Sequence, residues 1–228
     1  MPDFSKRATK PELMDDFGLT SAEIDPLLNG LELVNQYLGG YNVIFSALKT
    51  VSVQQNFHIS DWGCGGGDVL RAIAKKFKKE NLVLTGIDAT PAAVNFANSR
   101  NASPNINYIL ANVLSEENTI RQTDVVLSTL FTHHFSDEEW VLLIRKMMNC
   151  STRAVIIDDL HRHWLPYFVV KIITKLTNSR LAQYDGPLSV LKGFKLKELE
   201  MLLQKAGIGN YTIRWKWAFR WQIILYKN

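Results

Sequence analysis

Cysteine is scarce in this chain: Cys64 and Cys150 are the only two among 228 residues. Two thiols build no disulfide framework, and neither sits at the spacing of a zinc set, so no metal ligands are expected. Both are expected to be reduced thiols in a cytoplasmic protein. Long apolar runs are also missing. The most apolar helix candidate, Trp164 to Thr177, is interrupted by Lys171 and Lys175 and is too short to span a bilayer. The opening residues, Met1-Pro2-Asp3-Phe4-Ser5-Lys6-Arg7, lack the apolar stretch of a signal peptide. Charge of one sign is in only slight excess: 26 Lys and Arg against 22 Asp and Glu, a formal net charge of +4. The one dense basic run, Lys75-Lys76-Phe77-Lys78-Lys79, reads as the solvated end of a helix, where cations also suit the dipole. A nucleic-acid footprint should show several such clusters, so no nucleic-acid partner is expected. Low-complexity tracts, internal repeats and linkers are absent too, which predicts a single domain over 1–228.

What is present is ordered. Apolar residues Ile24, Leu27, Leu28, Leu31 and Val34 recur at helical spacing until Leu38-Gly39-Gly40 breaks the run. A second helix follows from Tyr41 to Leu48, so residues 1–55 read as a helical cap. From residue 56 strands and helices alternate. The pattern predicts strands at Ile59–Trp62, Leu82–Ile87, Ile106–Leu110, Asp124–Ser128 and Ala154–Ile157, with helices at Asp68–Phe77 and from Pro91 to about Asn98. Ser136 and Glu139 form a capping box for a helix to about Met148. This is the signature of a doubly wound α/β fold with a mostly parallel sheet. After a helix at Lys195–Ala206, Tyr211–Trp217 and Trp221–Tyr226 are joined by so short a turn that they must pair antiparallel. An insertion near 160–193 is read as a lid.

The strongest motif is Asp61-Trp62-Gly63-Cys64-Gly65-Gly66-Gly67-Asp68, between the first strand and a helix. A glycine cluster alone marks only a turn. In an open α/β sheet, however, this turn faces the ligand crevice at the carboxyl ends of the strands. A dinucleotide fold uses G-x-G-x-x-G/A and seats a pyrophosphate on the helix start. Here the last position is Asp68, whose carboxylate would repel a pyrophosphate. A carboxylate beside the loop can instead face a cationic group, such as the amino group of a methionine moiety.

The pattern D-x-G-C-G-x-G resembles motif I of class I S-adenosylmethionine-dependent methyltransferases, and later elements agree over most of the chain. The resemblance implies a Rossmann-like seven-stranded sheet with an antiparallel last strand, and S-adenosylmethionine as cofactor. It places cofactor-binding residues at Asp61, Gly63, Cys64, Gly65, Asp88, Ala89, Asn112, Val113 and Leu130. Asp88, in Gly86-Ile87-Asp88, matches the acid that holds both ribose hydroxyls, since a carboxylate can accept both donors. Asn112 stands where the family usually has Asp; its amide oxygen also accepts.

Methyl transfer from a sulfonium is an in-line displacement, which depends largely on positioning the acceptor. A hydroxyl acceptor also needs a base. His133 and His134, after the fourth strand, are the candidates, with a pKa near neutrality; the bland alternative is a histidine that only shapes the pocket. On the substrate side the candidates are Tyr41, His161 and Arg162, the last two in Asp158-Asp159-Leu160-His161-Arg162-His163. Otherwise Asp159 is a helix cap beside exposed His161 and Arg162. Trp164–Leu176, with Tyr37, Tyr41 and Phe45, could wall an apolar pocket for an aromatic or lipid-like molecule. No Asn/Asp-Pro-Pro-Tyr/Phe follows the fourth strand, which disfavours adenine and glutamine as acceptors. Glu12-Leu13-Met14-Asp15-Asp16, Leu38-Gly39-Gly40, Asp159-Leu160-His161-Arg162 and Asp185-Gly186-Pro187-Leu188-Ser189-Val190 are similar to a bacterial subgroup associated with polyketide, phenol or quinone metabolism. The working expectation is O-methylation of a small phenolic or polyketide-like acceptor. The alternatives are an RNA or protein methyltransferase, an NAD(P)-dependent oxidoreductase, and a non-catalytic partner subunit that keeps the fold.

Overall fold

The computed structural model describes residues 2–115 and 120–227. Seven strands form one sheet: β1 (His58–Trp62), β2 (Val83–Asp88), β3 (Ile106–Leu110), β4 (Thr123–Thr129), β5 (Ser151–Leu160), β6 (Tyr211–Lys216) and β7 (Arg220–Tyr226). Their order is β3-β2-β1-β4-β5-β7-β6. The pairs among β1 to β5 are parallel. β7 runs antiparallel to β5, and β6 antiparallel to β7, as the short β6–β7 connection predicts.

Strands of period two feed two layers. Ile59, Val125, Leu127, Ala154, Ile156 and Ile224 turn toward one buried cluster. Their neighbours Val126, Val155, Ile157, Ile223 and Leu225 turn toward the other. The first layer is closed by α2 (Gly40–Thr50) and α3 (Asp68–Lys76) through Ile44, Leu48, Leu70 and Ile73. The second is closed by α5 (Asp137–Cys150) and α8 (Leu196–Ala206) through Trp140, Ile144, Leu199 and Leu203. β4 and β5 are buried on both faces, which accounts for their near-continuous apolar runs. α1 (Ser21–Tyr37) packs Ile24 and Leu28 on Ala92, Ala93 and Phe96 of α4 (Pro91–Ser99).

The predicted cap of α5 is present, with Glu139 N–H donating to Ser136 Oγ at 3.2 Å and Ser136 N–H to Glu139 Oε2 at 2.9 Å. The fifth strand corrects its predicted bounds. β5 runs on to Leu160, so Asp158 and Asp159 are strand residues with no exposed surface rather than part of a loop or cap. A carboxylate buried in a strand is stable only with a partner, here from elsewhere in the chain. Asp158 has Arg220, Nη1 to Oδ2 at 2.6 Å. The region read as a lid forms two helices, α6 (Trp164–Lys175) and α7 (Arg180–Lys192). α7 contains Gly186 and Pro187, which in sequence resemble a helix break. Gly186 is needed because a Cβ there would meet Thr174 Cγ2 at 2.9 Å and Val170 Cγ1 at 3.0 Å.

Candidate functional site

The strand order reverses between β1 and β4, and the crevice at such a reversal receives ligands. A cavity of about 350 Å³ lies there. Its floor is the glycine loop between β1 and α3. Gly63, Gly65 and Gly67 have φ of +73°, +49° and +71°, a region that favours glycine. Gly63 has a second constraint, since a Cβ there would collide with the Phe131 ring. Leu130, at the end of β4, is held at φ +51°, a strained setting for a leucine, with its N–H bonded to Asp158 O at 2.8 Å.

All nine residues expected to bind the cofactor line this one cavity: Asp61, Gly63, Cys64, Gly65, Asp88, Ala89, Asn112, Val113 and Leu130. Asp61 is fully buried and its Oδ1 has no hydrogen-bond partner. Burial, followed by the charges of Asp68 and Asp88, pushes its pKa up to about 8. Asp88 is pinned at both oxygens: Gly65 N–H donates to Oδ2 and Thr90 N–H to Oδ1, each at 2.9 Å. Each oxygen keeps a second acceptor site. Burial raises the Asp88 pKa, although those two amides oppose the rise. Asn112 Oδ1 accepts Leu114 N–H at 2.9 Å, which fixes the side chain at the rim.

The two histidines separate. His134 lines the cavity, while His133 does not. His133 is buried behind it, with Nδ1 2.6 Å from Asp159 Oδ1 and its backbone N–H donating to Asp159 Oδ2. Burial pushes the Asp159 pKa up, but the His133 interaction and hydrogen bonds from His133 and Thr132 outweigh it and hold the carboxylate below its ordinary range. His134 Nδ1 lies 2.7 Å from Asp15 Oδ1. Burial would lower the His134 pKa; the Asp15 hydrogen bond and the charges of Glu12 and Asp15 outweigh it and raise the pKa.

Asp15 comes from a single 3-10 turn, Leu13–Asp15, whose place the sequence did not show. The turn is tied down by α7: Leu13 and Met14 N–H donate to the Asp185 carboxylate at 2.8 and 3.0 Å. Ser189 donates to Glu12 Oε2 at 2.7 Å, and Lys192 Nζ lies 3.4 Å from Glu12 Oε1. Upstream, Arg7 donates to the carbonyls of His133 and Phe135. Met14, Asp15 and Phe17 thereby join Leu28, Leu31 and Phe131 as cavity walls. Ligand atoms of Glu12, His133 and His134 lie within 4.8 Å of one another, but the Lys192 ammonium already supplies positive charge there.

The expected substrate-side residues lie elsewhere. Tyr41 is absent from the cavity wall; burial and then the nearby Asp68 charge raise its hydroxyl pKa, and its ring packs on Phe45, 6.2 Å between centroids. Arg162 is 1 % exposed and tied to Glu198 and to the Gly193 carbonyl. His161 stacks on Phe219 and accepts from Trp215 Nε1 at 3.2 Å. Tyr37 is exposed, and no residue of α6 lines the cavity. The apolar wall comes instead from the inward face of α1 and from the N-terminal turn, because the outward aromatics of α1 and α2 have other neighbours or solvent.

The comparisons agree with this architecture. Residues 59–153 match a family model described as a methyltransferase domain. The plantazolicin methyltransferase BpumL, solved with SAH, superposes with a TM-score of 0.66 at 19% identity, covering 88% of this chain and 89% of its own. Magnesium protoporphyrin IX methyltransferase from Synechocystis PCC 6803, also with SAH, gives 0.59 at 14% identity and 84% of each chain. Human N-acetylserotonin methyltransferase, solved with SAM, gives 0.67 at 14% identity, covering 96% of this chain and 63% of its own. Among curated proteins, none matches by sequence. The β1–β5 core, the glycine loop and the cavity at the sheet reversal fall largely within the segment that matches the methyltransferase domain model, and the chain shares the fold of these methyltransferase structures.

Proposed function

We propose that the chain passes the methyl group of S-adenosylmethionine to an oxygen of a small acceptor with an aromatic or apolar body, phenolic or polyketide- or quinone-like. The observation that carries this reading is that one cavity is lined both by the carboxylates Asp61, Asp68 and Asp88 and by the apolar side chains Met14, Phe17, Leu31, Phe131 and Phe135, with His134 among its lining residues.

The carboxylates suit the cofactor. Asp61 Oδ1 is buried and unpartnered, a costly arrangement that an ammonium group relieves. Asp88 has acceptor sites for two ribose hydroxyls after its two amide bonds. Asn112 and Val113 are at the rim expected to face the adenine. S-adenosylmethionine, when bound, supplies a methyl group on a sulfonium leaving group.

The protein's own part is to seat the acceptor and take its proton. Met14, Phe17, Leu31, Phe131 and Phe135 offer an apolar bed. Asp15 holds His134 Nδ1–H, which leaves Nε2 as the basic nitrogen for an acceptor hydroxyl. The carboxylate fixes the tautomer and stabilises the imidazolium that forms. The similar structures belong to enzymes named for plantazolicin, magnesium protoporphyrin IX and N-acetylserotonin, which is in keeping with a non-nucleic-acid acceptor.

The test is a transfer assay with radiolabelled methyl donor against phenols, quinols and polyketides, in parallel with RNA and peptide pools. The expected result is labelled small-molecule product, lost in His134→Gln. Label in RNA or peptide alone would overturn the acceptor class.

A further inference from the structure

α6 is inverted relative to an ordinary surface helix. Leu165, Phe168, Val169, Ile172, Ile173 and Leu176 recur three or four residues apart, which gathers them on one face. All six are exposed, Ile172 at 63% and Leu176 at 83%. The face turned to the protein is the less apolar one: Tyr167, the only buried residue of the helix, with Val170 and Thr174 against Gly186 of α7. A contiguous apolar patch of this kind marks an interaction surface.

The patch continues past the helix start. Trp164, 55% exposed, packs at a tilt on His163, which stacks on Phe219, which meets Trp215 edge-on. Phe219 and Ala218 both hold positive φ, +57° and +63°, unfavourable for side chains of this kind, at the turn that carries Trp217, 69% exposed. Indole rings at the border of an apolar face suit the lipid–water boundary, where one edge is wet and the other apolar.

Charge selects the occupant. From Leu160 to Tyr184 the chain has no Asp or Glu. Lys171 and Lys175 flank the apolar stripe and Arg180 follows it, all three exposed. A second copy packed on this face would bring the same lysines together with no acid from the segment to pair them. An anionic surface would pair all three, while the lysine stems lie along the apolar face.

We propose that the exposed face of α6, bordered by Trp164, lies flat on an anionic lipid bilayer. No described helix is long and apolar enough to cross a membrane, and α6, at about 18 Å, is the length of an interfacial helix rather than a spanning one. The apolar side chains enter the acyl boundary; the lysines meet the headgroups. α6 rests on α7, and α7 holds the N-terminal turn that walls the cavity. Bilayer contact is therefore one helix away from the acceptor site.

The experiment is flotation of the purified chain with phosphatidylcholine vesicles, with and without phosphatidylglycerol. The expected result is flotation that needs phosphatidylglycerol. Lys171→Gln with Lys175→Gln should weaken partitioning by roughly thirtyfold, about fivefold for each cation near an anionic surface. Phe168→Asp with Ile172→Asp should abolish it, with cofactor binding unchanged in both pairs. A readout on the unaltered protein guards against a folding defect: bromine-labelled lipid should quench tryptophan emission, and Trp164→Phe should remove part of that quenching. Absence of flotation, flotation indifferent to both variant pairs, or a dimer in sedimentation that Phe168→Asp dissociates would each overturn the proposal.

Discussion

Replacing Asp61 by asparagine is expected to move stability and cofactor affinity in opposite directions. In the folded chain burial, then Asp68 and Asp88, hold the Asp61 carboxyl protonated up to about pH 8. In the unfolded chain an aspartate gives up its proton near 3.9. Between those values the unfolded state binds fewer protons, so this group's contribution is fully present below about pH 4 and is lost as pH rises toward 8. At neutral pH about three of these units have been crossed; at 1.36 kcal/mol each that is about 4 kcal/mol. Asparagine has nearly the same shape and no proton to lose. Asp61→Asn should therefore flatten the pH dependence of unfolding between pH 4 and 8, and at neutral pH it should gain up to about 4 kcal/mol relative to its standing at pH 4. Cofactor binding should suffer, because the carboxylate proposed to face the ammonium is gone. The parent protein should release a proton on binding S-adenosylmethionine below pH 8, visible as a heat that varies with the buffer's ionisation enthalpy; the variant should release less. Denaturant unfolding at stepped pH and calorimetry in two buffers make the measurement. Parallel pH profiles for the two proteins, or unchanged affinity in the variant, would refute the assignment of Asp61.

Other outcomes follow from the same geometry. Asp88→Ala should weaken cofactor binding by about 2–4 kcal/mol in titration calorimetry, the worth of lost charge-assisted hydrogen bonds. Asp15→Asn should lower the rate of transfer to a hydroxyl acceptor while leaving cofactor affinity unchanged, and should shift the pH–rate profile to lower pH, since Asp15 helps to hold the His134 pKa up. His134→Gln should cost about 10²- to 10⁴-fold in the chemical step, the range of a general base. Arg220→Met should destabilise the fold by about 3–5 kcal/mol in urea unfolding, because Asp158 would be left buried without its cation.

The glycine-loop side of the cavity was legible in the sequence because its demands are local. Positive φ at Gly63, Gly65 and Gly67 restricts those positions to glycine, and Asp88 ends its strand. The central strands showed themselves as short apolar runs alternating with helices, and the β6–β7 pair by the shortness of its connection. The wall built by the N-terminal turn was hidden because its members come from far apart. Asp15 reaches the cavity only because Asp185, 172 residues from Leu13, holds the turn in place. Nothing near Glu12 or Asp15 in sequence announces that anchor. His133 and His134 are indistinguishable as neighbours; only the burial of Asp159 inside β5 turns one inward and leaves the other on the cavity wall. Asp158 and Asp159 concealed the end of β5 for the same reason, since their partners Arg220 and His133 lie 62 and 26 residues away. Gly186 within α7 answers to close packing with α6. The apolar run in α6 was visible, but sequence alone could not say that it faces outward.

The most direct test of the central claim is calorimetric titration of the purified chain with S-adenosylmethionine, S-adenosylhomocysteine and NAD. The account predicts micromolar binding of the first two, none of NAD, and loss of that binding in Asp88→Ala. Binding of NAD alone, or binding of the two adenosyl compounds that survives Asp88→Ala undiminished, would contradict the reading of the glycine loop and its cavity.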